Sequence, residues 1–245
     1  MKILATSMLA LSGALLAAAP AAAQRFDAFD SFDGTQGGAP GAANRFLYGE
    51  IDPANLGAQG TVFANQGPCA IGGTTCLQLE PNNVPGFYKS TVVGEQGTVN
   101  IPNDRLLGHP DDDTGLTTVL FIAPTAGTYR FDASFNVQDD FPSGVDIFRI
   151  GTTGGGLPFT SQLIGAIGSG NRVFSFTFFE TLGEGGGSGF ALGNQGDFRF
   201  DSTGINFSAA AVPEPATWAM MIGGVGLVGG AMRRRTARRT TVRFA

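Results

Sequence analysis

The sequence predicts an all-β protein: an antiparallel sandwich of jelly-roll type, flanked by an N-terminal signal peptide and a C-terminal single transmembrane helix. Three observations predict the sandwich. Between residues 24 and 211, short apolar or alternating runs are separated by Gly, Pro, Asn and Asp, the pattern of strands and turns. The same span contains no amphipathic helical periodicity. At residues 128–137 the alternation is strict. Tyr129, Phe131, Ala133, Phe135 and Val137 share one face, and Arg130, Asp132, Ser134 and Asn136 share the other. Period two with one apolar face is a half-buried strand.

The other strands follow in chain order at residues 46–51, 61–64, 75–79 and 87–93, then 117–122, 145–150, 172–181 and 204–210. Pro124-Thr125-Ala126-Gly127 forms the turn between strands 117–122 and 128–137. In 172–181, Phe174, Phe176 and Phe178 share one face. Nine or more short strands over this length suit one sandwich with an adequate core.

The 245 residues include 38 Gly and 21 Phe, and only 14% are charged. Typical soluble domains carry about 25% charged residues and about 7% Gly. The single histidine, His109, and two cysteines cannot build a zinc finger. Eight basic residues against nineteen acidic ones between 24 and 212 leave that span at −11. Such a surface repels polyanions, so no nucleic-acid partner is expected, and an acidic polysaccharide would need a bridging cation.

The termini have their own patterns. Lys2, the apolar run 3–19 and the small residues Ala21-Ala22-Ala23 form a signal peptide, which signal peptidase would cleave before Gln24. Residues 216–232 are uncharged and near the length that spans a bilayer. Arg233, Arg234, Arg235, Arg238 and Arg239 follow, which places the C-terminus on the cytoplasmic side. Pro213-Glu214-Pro215 precedes this segment and stops the preceding strand, and Trp218-Ala219 opens it at the depth of the lipid headgroups. The expected division is 1–23 signal peptide, 24–211 sandwich body, 212–239 C-terminal signal and 240–245 tail.

The tripartite order of Pro213-Glu214-Pro215, apolar helix and arginines resembles the PEP-CTERM sorting signal, in its variant with Trp-Ala after the box. The resemblance covers Pro213 to about Arg239. It implies a Gram-negative exported protein. Its partner would be an exosortase, a transpeptidase-like membrane enzyme that recognises the box and removes the helix. Its destination would be the cell surface or an exopolysaccharide matrix. The body also resembles those of many such proteins, at Phe46-Leu47-Tyr48-Gly49, Leu106-Leu107-Gly108-His109-Pro110 and Gly196-Asp197-Phe198-Arg199-Phe200. Ala123-Pro124-Thr125-Ala126-Gly127-Thr128-Tyr129 is similar to a strand-joining piece of jelly-roll modules, carbohydrate-binding ones included. These likenesses imply a fold and name no catalytic residue.

Cys69 and Cys76, with six residues between them, form an even pair in an exported chain and are expected to be a disulfide. The acidic turns Asp111-Asp112-Asp113 and Asp139-Asp140 are either solvated or cation-binding. Asp111 and Asp113 are the candidate calcium ligands, and calcium is the one candidate ion; no cofactor motif is present. His109 is expected at a turn or sheet edge. No G-x-S-x-G elbow accompanies it, so Ser-His-Asp chemistry has no support. Asn206-Phe207-Ser208 is a sequon in a predicted buried strand. The main expectation is a non-enzymatic surface or matrix protein. The alternatives are a lectin-like module, calcium-assisted, and a secreted glycosidase using Glu180 and Glu184. The body has only three tyrosines and no tryptophan, which argues against a sugar-stacking platform.

Overall fold

The computed structural model describes residues 24–39, 42–65, 67–81, 83–112, 114–152, 158–213, 222–230 and 232–233. The chain divides into two compact units, residues 23–212 and the two terminal stretches.

The first unit opens with β1 (Arg25–Asp27), a one-turn helix α1 (Ala28–Ser31), β2 (Phe46–Ile51) and β3 (Thr61–Val62). Next come β4 (Thr75–Gln78), β5 (Gly86–Lys89), β6 (Gly94–Gln96) and β7 (Val99–Ile101). Eight further strands follow: β8 (Leu106–His109), β9 (Leu116–Ile122), β10 (Gly127–Val137), β11 (Val145–Thr152), β12 (Phe159–Ile167), β13 (Val173–Leu182), β14 (Gly187–Asn194) and β15 (Thr203–Ala211). One sheet runs β13-β10-β15-β8-β5-β4, with β1 also on β15; the other runs β12-β11-β14-β9-β2-β3. β6 and β7 form a separate hairpin. Within β8 to β15 the orders 8-15-10-13 and 9-14-11-12 are those of a chain wound alternately between two antiparallel sheets. That is the jelly roll.

The core between the sheets is built from phenylalanine. On β10, Tyr129, Phe131, Ala133, Phe135 and Val137 are buried, as the alternation predicts. Phe131 stacks on Phe178 of β13 at 4.7 Å. Phe190 of β14 meets Phe135, Phe176, Phe178 and Phe207 from the facing sheet, at 5.0 to 6.2 Å. Such pairs add about 0.5–1.5 kcal/mol each beyond area burial. A second apolar cluster, around Leu120, Ile150 and Ala191, lies on the outer face of the β9 sheet, and Leu56 and Phe159 pack on it.

Several local expectations change. The strand expected at 87–93 ends at Lys89, because Ser90 Oγ turns the chain through bonds to Val92 N and O. Lys89 Nζ then donates to the carbonyls of Phe29 and Phe32. The strand expected at 61–64 shrinks to Thr61–Val62 with an isolated bridge from Ala64 to Gln78. α1, β1, β6, β7, β8, β12 and β14 were not expected. Asp27 Oδ1 caps α1 by accepting from Phe29 N and Asp30 N. His109 is neither at a turn nor at an edge: it ends β8, which lies between β15 and β5, and it is buried. The sequon lies in β15, with Phe207 and Ser208 buried. In the second unit, residues 222–230 and 232–233 are helical. No helix among the described residues is long and apolar enough to cross a membrane. Of the expected span 216–232, residues 216–221 and 231 lie outside the described ones.

Cys69 and Cys76 are bonded. Cys76 is fully buried against Ile71, Tyr88, Ile101 and Leu107, a third cluster on the β4-β5-β8 part of the sheet. The loop between the cysteines turns at Gly73, whose φ of +73° suits glycine. Gln96 of β6 clamps it by accepting from Gly72 N and donating to Ala70 O. Closing this eight-residue loop constrains the unfolded chain by about 2.5 kcal/mol. Cys69→Ser is expected to lower the melting temperature of the purified chain by about 5–10 °C. Reductant should remove the difference between the two proteins. A wild-type chain that labels with thiol reagent before reduction would refute the bond.

Candidate functional site

The two ends of the body meet. Gln24 O accepts from Ala211 N at 3.1 Å, and β1 continues the pairing through Arg25–Ala210 and Asp27–Ser208. Val212 N then donates to Thr128 O at 2.8 Å. Pro213 has no N–H to offer, so the ladder stops there. The residue after the expected signal cleavage and the residue before the Pro-Glu-Pro box are therefore neighbours on one sheet. Pro213 is half-buried, and Arg233 is exposed at the end of a helical pair. Ala21, Ala23, Glu214, Pro215, Trp218, Ala219, Arg234 and Arg235 lie outside the described residues.

The acidic turns are not simply solvated. Asp111 is only 4% exposed. Its carbonyl accepts from Asn194 Nδ2 at 2.8 Å, and its Oδ1 from Asp112 N at 2.7 Å. Asp113, the other expected ligand, lies outside the described residues. Asp139 is fully buried. Its Oδ1 accepts from Thr98 Oγ1, its Oδ2 from Ser202 N and its carbonyl from Arg172. It is a structural hub that joins four chain segments. Among the described residues no three His, Cys, Asp or Glu side chains converge as a metal site. Glu50 is the acid that sequence reading missed. It lies on β2, and its Oε1 approaches Gly115, as does Asp111 Oδ2. No local motif announces that meeting.

Two of the residues considered for catalysis, His109 and Glu180, make structural contacts. Burial lowers the pKa of His109, which keeps the ring neutral, and Nδ1 lies 2.8 Å from Pro110 O. Glu180 pairs with Arg149 at 2.9 Å and accepts from Ser188 Oγ, while the guanidinium sits 4.3 Å over the Phe178 ring. Arg149 and Glu180 line a cleft of about 200 Å³ with Thr160 and Gln162. Glu184 is exposed in the turn after β13. A larger cleft of about 460 Å³ lies beside β1 and α1, lined by Arg25, Asp27, Asp30 and Arg45. Tyr48, Tyr88 and Tyr129 are all buried, so none offers an exposed ring to a sugar.

Asp201 also lies among the buried polar groups. Its Oδ1 accepts from Ser143 Oγ at 2.9 Å and Gly144 N at 2.8 Å, whereas Oδ2 is buried with no partner. Desolvation, aided by the nearby Asp139 charge, raises its pKa to about 6. A raised carboxylate pKa means that the folded state binds the proton more tightly than the unfolded one. The stability from this proton is present at acid pH and is lost as pH rises through about 6. Asp201→Asn keeps the acceptor and removes the charge. It should be more stable than wild type at pH 7, with the advantage disappearing towards pH 4. Melting temperatures of both proteins across that range would show the convergence; parallel curves would refute it.

No curated relative matches the chain in sequence. Among solved structures, one similar chain is a carbohydrate-binding module of Cellvibrio mixtus lichenase 5A. It is 15% identical over 44% of this chain and 79% of that one, at a TM-score of 0.27. Another is a family 29 carbohydrate-binding module from Piromyces equi, 8% identical over 46% and 74%, also at 0.27. The K2 cleaved adhesin domain of Lys-gingipain is 12% identical over 77% and 98%, at 0.32. Scores this low give these likenesses no weight as guides to a ligand. The family model is specific: the PEP-CTERM protein-sorting motif matches residues 211–235. That interval starts on the last residue of β15 and takes in the Pro213-Glu214-Pro215 box, the apolar stretch and the first three arginines. The chain thus carries a PEP-CTERM sorting motif at residues 211–235, directly after a jelly-roll body.

Proposed function

We propose that this is a non-enzymatic exported protein of the cell surface or extracellular matrix, sorted by an exosortase acting at its C-terminal signal. The motif match at residues 211–235 carries the reading. Signal peptidase removes residues 1–23 after Ala23. The apolar segment 216–232 then holds the chain in the inner membrane, with Arg233, Arg234 and Arg235 on the cytoplasmic side. Exosortase recognises Pro213-Glu214-Pro215 and detaches the helix, and the body goes to the surface in association with exopolysaccharide.

Two features of the body support this order. Hydrogen bonding of the sheet ends at Val212, so the box begins where the ladder has stopped. Cleavage beyond it leaves every strand in place. The oxidised Cys69–Cys76 pair also suits a compartment outside the cytoplasm. The charge of −11 limits direct contact with an acidic polysaccharide, so a cation or neutral sugars must mediate any association.

The test replaces Pro213, Glu214 and Pro215 together with Ala in a strain with active exosortase. Intact-mass measurement should give a wild-type mature form that begins at Gln24 and lacks Arg233 to Arg239. The variant should be exported with its C-terminal helix still attached. A wild-type surface form that retains Arg233 to Arg239 would overturn the proposal.

A further inference from the structure

We propose that Glu50, Asp111 and Thr117 form a binding site for a hard divalent cation, calcium by its chemistry, at the end of the sandwich where β2 and β9 meet the β8–β9 loop. The strand register brings the first two groups together. Glu50 of β2 is paired with Thr117 of β9, and Thr117 with Leu192 of β14. Alternation puts Glu50 and Thr117 on the same face as Tyr48 and Val119, which point into the core between the sheets. Asp111 arrives from the opposite sheet, two residues beyond the end of β8. Its backbone is fixed by the bond from Asn194 Nδ2 to its carbonyl.

Gly115 shows how closely the two carboxylates approach. A Cβ there would lie 2.6 Å from Glu50 Oε1 and 2.7 Å from Asp111 Oδ2. Both carboxylate ends thus reach the space beside the Gly115 Cα. Two carboxylates directed at one small space repel each other when both are ionised, and a cation between them reverses the sign of that interaction.

Thr117 supplies an independent observation. It is fully buried, and its Oγ1 has no hydrogen-bond partner. Buried hydroxyls in native interiors are normally satisfied, as the adjacent Thr118 is by donating to Leu116 O at 2.9 Å. Cross-strand neighbours have Cβ atoms about 4.5–5.5 Å apart, so this hydroxyl sits beside the Glu50 side chain. A buried hydroxyl oxygen with a free lone pair beside Glu50 can complete the ligand set of a cation held by the two carboxylates.

The donor set is entirely oxygen, which favours a hard cation over zinc or copper. Carboxylates that can bind through one or two oxygens, plus one hydroxyl, with water completing the shell, suit the six to eight irregular positions of calcium. Magnesium demands a near-octahedral shell and fits this set poorly.

The purified full chain in detergent, stripped with EDTA, is the material for the test. Calorimetric titration with calcium chloride should show saturable binding. The melting temperature should rise with calcium concentration, and magnesium at equal ionic strength should give no comparable rise. Glu50→Gln and Asp111→Asn should each weaken calcium binding at least tenfold. Their melting temperatures in EDTA should equal or exceed that of wild type, since each removes one of two repelling charges. Thr117→Val nearly preserves shape and should weaken calcium severalfold without lowering stability in EDTA, which covers the case of a charge variant that fails to fold. Absence of saturable calcium binding by wild type would overturn the proposal. So would a calcium shift that survives undiminished in Thr117→Val and in either folded charge variant.

Discussion

The last strand of the body holds its first sheet together. β15 pairs with β10 along its length on one side, and with both β8 and β1 on the other. Without it, that sheet falls into β13-β10 and β8-β5-β4, and β1 has no partner. The pairing of Arg25 with Ala210 spans nearly the whole body in sequence, so its loop-closure entropy is met only when the C-terminal residues are available. For an exported chain this constrains processing. A C-terminal cut within β15 truncates a central strand, whereas the box at Pro213-Glu214-Pro215 lies beyond the last ladder hydrogen bond. The sorting motif and the folding unit thus share a boundary that hydrogen bonding defines.

The strands most legible in the sequence are those buried on one face. β10 and β13 could be read from their alternation because one side packs on the phenylalanine core and the other meets solvent. β14 could not. Its sequence, Gly-Ser-Gly-Phe-Ala-Leu-Gly-Asn, reads as a loop, yet it is the central strand of its sheet and is buried nearly throughout. Glycine there answers a packing constraint: a Cβ on Gly189 would lie 2.0 Å from Val119 O. Tertiary context overrides propensity at such a position. β8 was missed for a related reason. Four residues buried on both faces show no alternation, and the proline that follows suggests a turn.

The functional features divide along the same line. The Pro-Glu-Pro box, the apolar segment and the arginines are contiguous, so their chemistry is visible without a fold. The cysteine pair is nearly as local. Asp111 was legible only as one acid in a run, and its burial was not. Glu50 gave no signal at all. Its place beside Asp111 and Thr117 depends on the β2–β9 register and on where β8 ends, and neither is encoded near residue 50. Asp139 likewise reads as a turn acid and Asp201 is not singled out by sequence, although both are buried where the start of β15 meets the loops around residues 98, 143 and 172.

The arrangement of these groups separates two demands on one strand. Gln24 and Val212 lie at the C-terminal end of β15, while Asp201 and Ser202 precede its N-terminal end. Nine residues at about 3.3 Å each place roughly 30 Å between them. The buried carboxylates gather at the far end: Asp139 bonds Ser202, and the chain paired with Thr203 runs on to His109 and Asp111. The hydrogen-bond partners given for these acids all lie within residues 23–212, and charging or neutralising the acids leaves the Gln24–Ala211 bond untouched. The low overall charge content makes this separation effective. With only 14% charged residues, little surface charge can compensate a buried carboxylate. The local electrostatics at that end are then set by what sits within a few ångströms: a backbone N–H, a hydroxyl, a proton or a cation.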